Sequence, residues 1–119
     1  MPYAVLVALG GAVGALARYG VNVAVEARGQ PGWIATAGVN LVGAVLIGLL
    51  YSRTADPQLR ALLGVGVLGG FTTFSTFGND ALGMLTAGRV GLAVGYLGGS
   101  VLGGLLGVWL GRALGEVLG

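Results

Sequence analysis

Charged residues divide this chain into four long runs that are mostly apolar. The uncharged runs are residues 1–17, 29–52, 61–79 and 90–111. A helix needs about 20 mostly apolar residues to cross a hydrocarbon core that is about 30 Å thick. The pattern therefore predicts four transmembrane helices, at about residues 3–25, 32–52, 59–87 and 90–116.

Only short connections join these helices, so the whole chain, residues 1–119, is predicted to be a single four-helix transmembrane domain. Composition supports this, because 55% of the residues are hydrophobic and 8% are charged, whereas an ordinary soluble domain has about 25% charged residues. Such a chain could not present a solvated surface. We expect an all-α, multi-pass protein of the cell (inner or plasma) membrane.

Several kinds of chemistry lack their usual residues in this chain. It has no cysteine and no histidine, which removes the usual zinc ligands and the usual catalytic base. An enzyme is therefore not expected. The basic residues are six scattered arginines, whereas nucleic-acid binding needs basic residues clustered on one face. We expect no nucleic-acid partner.

The stretch GVGVLG at residues 64–69 matches the G-x-G-x-x-G dinucleotide pattern. That pattern has meaning only after a strand and at the start of a helix, with an acidic residue about 20 positions further on. Here it lies within an uncharged helical run, and the nearest downstream acid is Asp80. We expect no nucleotide site, and interpret the glycines as room for close backbone approach.

Glycine also recurs at every fourth position from Gly91 to Gly119. This spacing places small residues on one face of the fourth helix, where another helix can pack closely within a bilayer. The spacing leaves open whether that neighbour belongs to the same chain. Four helices are too thin a bundle to enclose a pore alone, so a homo-oligomer, most simply a dimer, is predicted.

The orientation of the chain is weakly specified, because arginines are distributed almost evenly between the two predicted sides. Either factors outside the sequence orient the chain, or it inserts both ways and pairs with an inverted copy of itself.

The most unusual segment is GGFTTFSTF at residues 69–77, which combines four hydroxyls with three phenylalanines. The hydroxyls could bond to carbonyls of their own helix, and the rings could form a packing stripe. Together with Gly69 and Gly70, however, they favour a break in the third helix. Broken backbone at membrane depth must be buried in protein or line a water-filled cavity, and its freed carbonyls can coordinate a cation.

Other polar residues point to the same depth. Asn40 in the second helix needs a partner, because an unpaired amide in lipid costs several kcal/mol; an interhelical hydrogen bond would satisfy it. Arg18 in the first helix should face protein or water, unless it extends to the membrane interface. Tyr96 and Ser100 share one face of the fourth helix.

These groups are mainly hydrogen-bond donors, and no ring of carboxylates accompanies them. Donors without acids suit an anion. Phenylalanine rings add positively polarised edges, which can attract a small anion weakly enough for it to leave again, as conduction requires. The residues alone therefore favour a pathway for a small anion.

GGFTTFSTF, with GVN in the second helix and GGAVGALARY in the first, resembles the Fluc (CrcB) family of fluoride ion channels over essentially the whole chain. The resemblance implies an antiparallel, dual-topology homodimer that lets fluoride leave the cytoplasm passively and so relieves fluoride toxicity. It also implies a structural sodium ion at the dimer interface.

Matched residue by residue, the resemblance implies two kinds of site. The sodium ion would be held by the backbone carbonyls of Gly69 and Thr72, and Arg18 would lie near a vestibule. The fluoride pathway would be formed by Asn40, Phe74, Ser75, Thr76, Phe77, Tyr96 and Ser100.

Two positions depart from the family pattern. Gly78 stands where a serine is usual, and Asp80 stands where a glutamate is usual, so the role of that carboxylate is open. The alternative functions are a proton-coupled fluoride antiporter and a small multidrug-type transporter. A small multidrug-type transporter would need a carboxylate within the first span, and the only charged residue of the predicted first span is Arg18.

Overall fold

The computed structural model describes all residues, 1–119, and is entirely helical. Four helical segments are long and apolar enough to cross a membrane, as predicted. They are α1 (Tyr3–Ala27), α2 (Gly32–Arg53), the third span (Pro57–Thr86) and a last helix (Val90–Leu118). The longest dimension of the chain is 47 Å, which matches a bilayer of about 40–45 Å with its headgroup regions.

The third span consists of two helices. The first, α3, covers residues 57–71 and includes a stretch with the wider π-helical pitch, Arg60–Leu68. The helix ends at Phe71, and a second helix, α4 (Phe74–Thr86), begins after two extended residues. The predicted break is therefore present, and the last helix is named α5 (Val90–Leu118).

Helices α2 and α5 pack backbone against backbone at a contact that we call the seam, formed around Gly48 and Gly111. A Cβ atom at Gly48 would lie 3.0 Å from the amide nitrogen of Arg112, and one at Gly111 would lie 2.8 Å from that of Leu49. The Cβ at Gly48 would come closer still to the Val108 carbonyl oxygen, and the Cβ at Gly111 to the Val45 carbonyl oxygen, at distances that real Cβ atoms essentially never show, so only glycine fits at these two positions. The later part of the glycine stripe thus packs within the chain, whereas a Cβ at Gly91 would meet open space.

Helix α1 contacts α3 in a similar way. A Cβ atom at Gly14 would lie 2.8 Å from the amide nitrogen of Phe71, and one at Gly70 would lie 3.2 Å from that of Ala15. The glycines of GVGVLG contribute here, because Gly66 is buried and lies against Gly10. This close approach brings the second half of α1 to the end of α3.

The interior of a single chain is small. Only 17 of 119 residues are buried, and large apolar side chains on every span are exposed. The main apolar cluster joins Phe77, Ala81 and Met84 of α4 to Ala93 and Tyr96 of α5. Lipid or another chain must therefore cover most of the apolar surface.

Candidate ion pathway at the helix break

The break consists of Thr72 and Thr73, whose backbones are extended. Their φ and ψ angles are −88° and 158° at Thr72, and −149° and 125° at Thr73. Glycine and β-branched threonine both weaken a helix, which explains why the ladder fails at this point. The chain resumes a helix at Phe74, with the Thr73 side chain as its cap.

Side chains take the backbone donors that would otherwise continue the helix. The amide of Thr73, which would bond to the Gly69 carbonyl in an unbroken helix, donates instead to Oδ1 of Asn40 at 2.8 Å. The amide of Thr76, which would bond to the Thr72 carbonyl, donates to Oγ1 of Thr73 at 3.3 Å. The carbonyls of Gly69 and Thr72 therefore lack their helical donors.

Asn40 contacts the break through both halves of its amide. Besides accepting from the Thr73 amide, it donates from Nδ2 to the Thr73 carbonyl at 3.0 Å. The interhelical hydrogen bond considered from the sequence is therefore present. The amide group carries two N–H donors, so one remains for another acceptor.

An open groove of about 390 Å³ lies beside the break. Its lining residues are Asn40, Gly43, Ala44, Ile47, Gly64, Leu68, Gly69, Thr72, Thr73 and Phe74. The groove therefore brings together four of the predicted pathway and cation residues, which are Asn40, Gly69, Thr72 and Phe74.

The two phenylalanines that are predicted to line the pathway lie in different surroundings. Phe74 is 83% exposed and Phe77 is 7% exposed, although their ring centroids are only 5.9 Å apart. Phe77 also lies 5.0 Å from the ring of Tyr96. Phe77 thus belongs to the interior of the chain, while Phe74 projects from it.

Phe74, Phe77 and Tyr96 form an aromatic row, and next to it lie Trp33 and Thr36, which sequence reasoning did not select. Trp33 meets Tyr96 edge-on, with centroids 5.6 Å apart, and the Tyr96 hydroxyl donates to Oδ2 of Asp80 at 3.2 Å. Thr36 is also buried, at 2% exposed. Its position one turn before Asn40 on α2 was the signal that could have identified it.

A second, more polar pocket of about 400 Å³ opens where α1, α2 and α4 meet. It is lined by Tyr19, Asn22, Val23, Glu26, Gly32, Thr36, Thr76 and Asp80. The predicted pathway residue Thr76 therefore faces this pocket, and it is accompanied by a carboxylate, Asp80, whose involvement the sequence left open.

The remaining predicted residues lie around the break with differing partners. Arg18 donates from Nε to the Gly70 carbonyl at 3.1 Å. Ser75 is exposed, and its Oγ lies 3.4 Å from Oγ1 of Thr73. Ser100 is half-buried on α5 and takes part in none of the side-chain hydrogen bonds. The roles of all these residues in ion passage remain predictions.

Comparison with known proteins gives one consistent result. The sequence profile of a family described as CrcB-like protein, Camphor Resistance (CrcB), matches residues 5–112. A "Fluoride-specific ion channel FluC" of Stutzerimonas stutzeri is 44% identical over 102 residues, which cover 81% of this chain and 82% of that protein. The protein of the same name from Caulobacter vibrioides is 46% identical over 104 residues, with 82% of each chain covered.

A third relative with this name, from Thermus thermophilus, is 45% identical over 102 residues and 81% of each chain. With four helices of spanning length, this similarity identifies the chain as a multi-pass membrane protein.

Proposed function

Because the chain belongs to the CrcB-like family, we propose that it is a fluoride channel that allows passive efflux of fluoride from the cytoplasm. The observation that carries the proposal is the aromatic row from Phe74 through Phe77 to Tyr96, which begins at a groove lined by Asn40. Ring edges and N–H or O–H donors along one line suit a small anion.

In this proposal, the side chains replace the water that fluoride loses on entering the membrane. The remaining N–H of Asn40 and the hydroxyls of Ser75 and Thr76 donate hydrogen bonds, and the rings of Phe74 and Phe77 offer their edges. Tyr96 and Ser100 extend the line of hydroxyls along α5. None of these groups carries a positive charge, so each holds the anion weakly enough for it to move on.

We further propose that the functional unit is an inverted homodimer. The exposed ring of Phe74 and the open break groove support this, because backbone carbonyls at membrane depth should not face lipid. A second copy placed over the groove would cover both. Antiparallel pairing also accounts for the small arginine bias between the two predicted sides of the chain.

The carbonyls of Gly69 and Thr72 fit the proposed structural sodium ion. Carbonyl oxygens are hard ligands suited to such a cation, and both have lost their helical donors to side chains. When bound, the ion would supply positive charge to carbonyls from both subunits and so join the two breaks. Within each chain, Asn40 and Thr73 keep the carbonyls available.

The alternatives predict different transport. A proton-coupled antiporter would respond to a pH gradient at a fixed fluoride gradient. A small multidrug-type transporter needs a carboxylate within the first span, and the acid of α1, Glu26, lies in its last turn. Neither alternative explains an aromatic row beside a donor-lined break.

Fluoride release from proteoliposomes, followed with a fluoride electrode, tests the proposal. We expect fast efflux that excludes chloride and does not depend on a pH gradient. Phe77→Ile should slow efflux by about tenfold, because it removes a ring edge from the line of donors, while the protein keeps its dimeric size. Absence of efflux from the folded wild-type dimer would falsify the channel proposal.

A further inference from the structure

Arg18 reaches the helix break from α1. Its Nε atom lies 3.1 Å from the carbonyl oxygen of Gly70, and this is the side chain's one hydrogen bond within the chain. The contact depends on the close approach of the two helices, since Gly70 packs directly against Gly11 and Ala15. Arg18 is half-buried, while the neighbouring Tyr19 is 67% exposed.

The Gly70 carbonyl is itself part of the broken ladder. In an unbroken helix it would accept from the amide of Phe74, but Phe74 is the first residue of α4, beyond the extended pair. A carbonyl left without a donor at this depth is costly. The arginine Nε–H supplies the missing donor.

Three of the carbonyls at the break thus differ in their hydrogen-bond donors. Gly70 receives a donor from Arg18, whereas Gly69 and Thr72 lose theirs to Asn40 and to the Thr73 hydroxyl. Without Arg18, the Gly70 carbonyl would lack this donor, and the end of α3 would be held less firmly against α1. The extended segment and the exposed Phe74 ring that follow would then open more often.

From this geometry we propose that Arg18 is a positioning residue that fixes the broken third span in place by donating a hydrogen bond to the Gly70 carbonyl. The role differs from that of a vestibule charge, because it requires an N–H donor at the position of Nε and does not require the positive charge. The proposal deepens the channel function and rests on it for its consequence, which is that Arg18 sets the position of Phe74 and of the free carbonyls.

Two substitutions separate the donor from the charge. In Arg18→Gln, the side-chain nitrogen is the same number of bonds from Cα as Nε, so a donor remains while the charge is lost. In Arg18→Met, the side chain is about as long as that of glutamine and lacks both the donor and the charge. If the hydrogen bond matters, the two variants should differ; if only the charge matters, they should behave alike.

Amide hydrogen exchange of the purified full-length protein provides a readout that does not depend on transport. We expect peptides covering residues 68–77 to exchange about tenfold faster in Arg18→Met, since leaving the Gly70 carbonyl without a donor costs about that factor. Exchange in Arg18→Gln should stay within about twofold of wild type. Peptides from the seam, residues 105–115, should be unchanged in both variants.

Equal acceleration in both variants would assign the effect to the charge and overturn the proposal. No acceleration in either would show that this hydrogen bond does not hold the break, with the same consequence. If Arg18→Met does not fold, Arg18→Leu, which also lacks the donor and the charge, takes its place in the comparison with Arg18→Gln. Fluoride efflux of the wild type is measured in parallel, so failure of the channel function is recognised separately.

Discussion

The seam between α2 and α5 and the break between α3 and α4 show two opposite uses of the backbone in a membrane. At the seam, side chains are absent at Gly48 and Gly111, and intact helices touch directly. At the break, the helix is interrupted, and the side chains of Asn40 and Arg18 provide partners from other helices. The seam therefore rests on close backbone packing, whereas the break leaves the Gly69 and Thr72 carbonyls without their helical donors.

From this comparison we predict that added side-chain volume is more destabilising at the seam than a substitution at the break. Gly111→Ala places a methyl group against the Val45 carbonyl and the Leu49 amide, which belong to backbone and cannot move aside. Overpacking of this kind costs about 3 kcal/mol, so we expect little folded protein and a strongly lowered melting temperature in detergent.

Gly91→Ala is the matched control on the same helix and stripe. A Cβ atom there meets nothing within 4 Å, and alanine favours a helix over glycine by about 1 kcal/mol. Its melting temperature should equal or exceed that of wild type. If both alanines were equally harmful, close packing at the seam would not be what distinguishes Gly111.

The second prediction concerns the break. Asn40→Ala removes two hydrogen bonds from the backbone of Thr73, at 2.8 and 3.0 Å. Leaving these groups without partners should cost about 2 kcal/mol, less than damage to the seam. Thermal unfolding measures this cost, and fluoride efflux should fall because the break loses its fixed shape.

Thr36→Ala provides the comparison for Asn40→Ala, since it also changes a polar residue of α2 to alanine. The hydroxyl of Thr36 bonds at 3.4 Å to the Gly32 carbonyl of its own helix, so its loss should be much less costly. A similar loss of stability in both variants would contradict the view that Asn40 holds the neighbouring helix.

The sequence predicts the positions of the four spans and of the break, but not the contacts that the break makes with other helices. The uncharged runs set the four spans, and Gly69, Gly70 and the hydroxyls indicated the break, because local composition controls where a helix can cross or fail. The partners of the break could not be read in this way. That Asn40 meets Thr73, and Arg18 meets Gly70, depends on how three helices pack, and spacing along one helix does not contain that information.

Aromatic and small residues show the same limit. The spacing from Gly91 to Gly119 predicted a smooth face but not its neighbour, which is α2 of the same chain along the later part of the helix. Trp33, which the sequence analysis did not select, meets Tyr96 edge-on beside Phe77. Contacts between distant parts of the chain decide the role of each residue.

The smallest effect is expected at Gly78 on α4, which lies beyond the break and outside the seam. A Cβ atom there meets nothing within 4 Å, so Gly78→Ser should fit without strain and change the stability by less than about 1 kcal/mol, in the favourable direction. The added hydroxyl lies one residue beyond Phe77 and restores the serine that the resemblance leads one to expect.

We expect fluoride efflux in this variant to change by less than about twofold, because the donors of Asn40 and Thr76 already lie along the aromatic row. Gly78→Ala is the control, since it adds the same Cβ without a hydroxyl. A large gain in efflux with serine alone would mean that the missing hydroxyl limits the pathway. The donors present in this chain would then be too few for fast passage. Equal rates for wild type, serine and alanine would assign the function of this region to the side chains that hold the break.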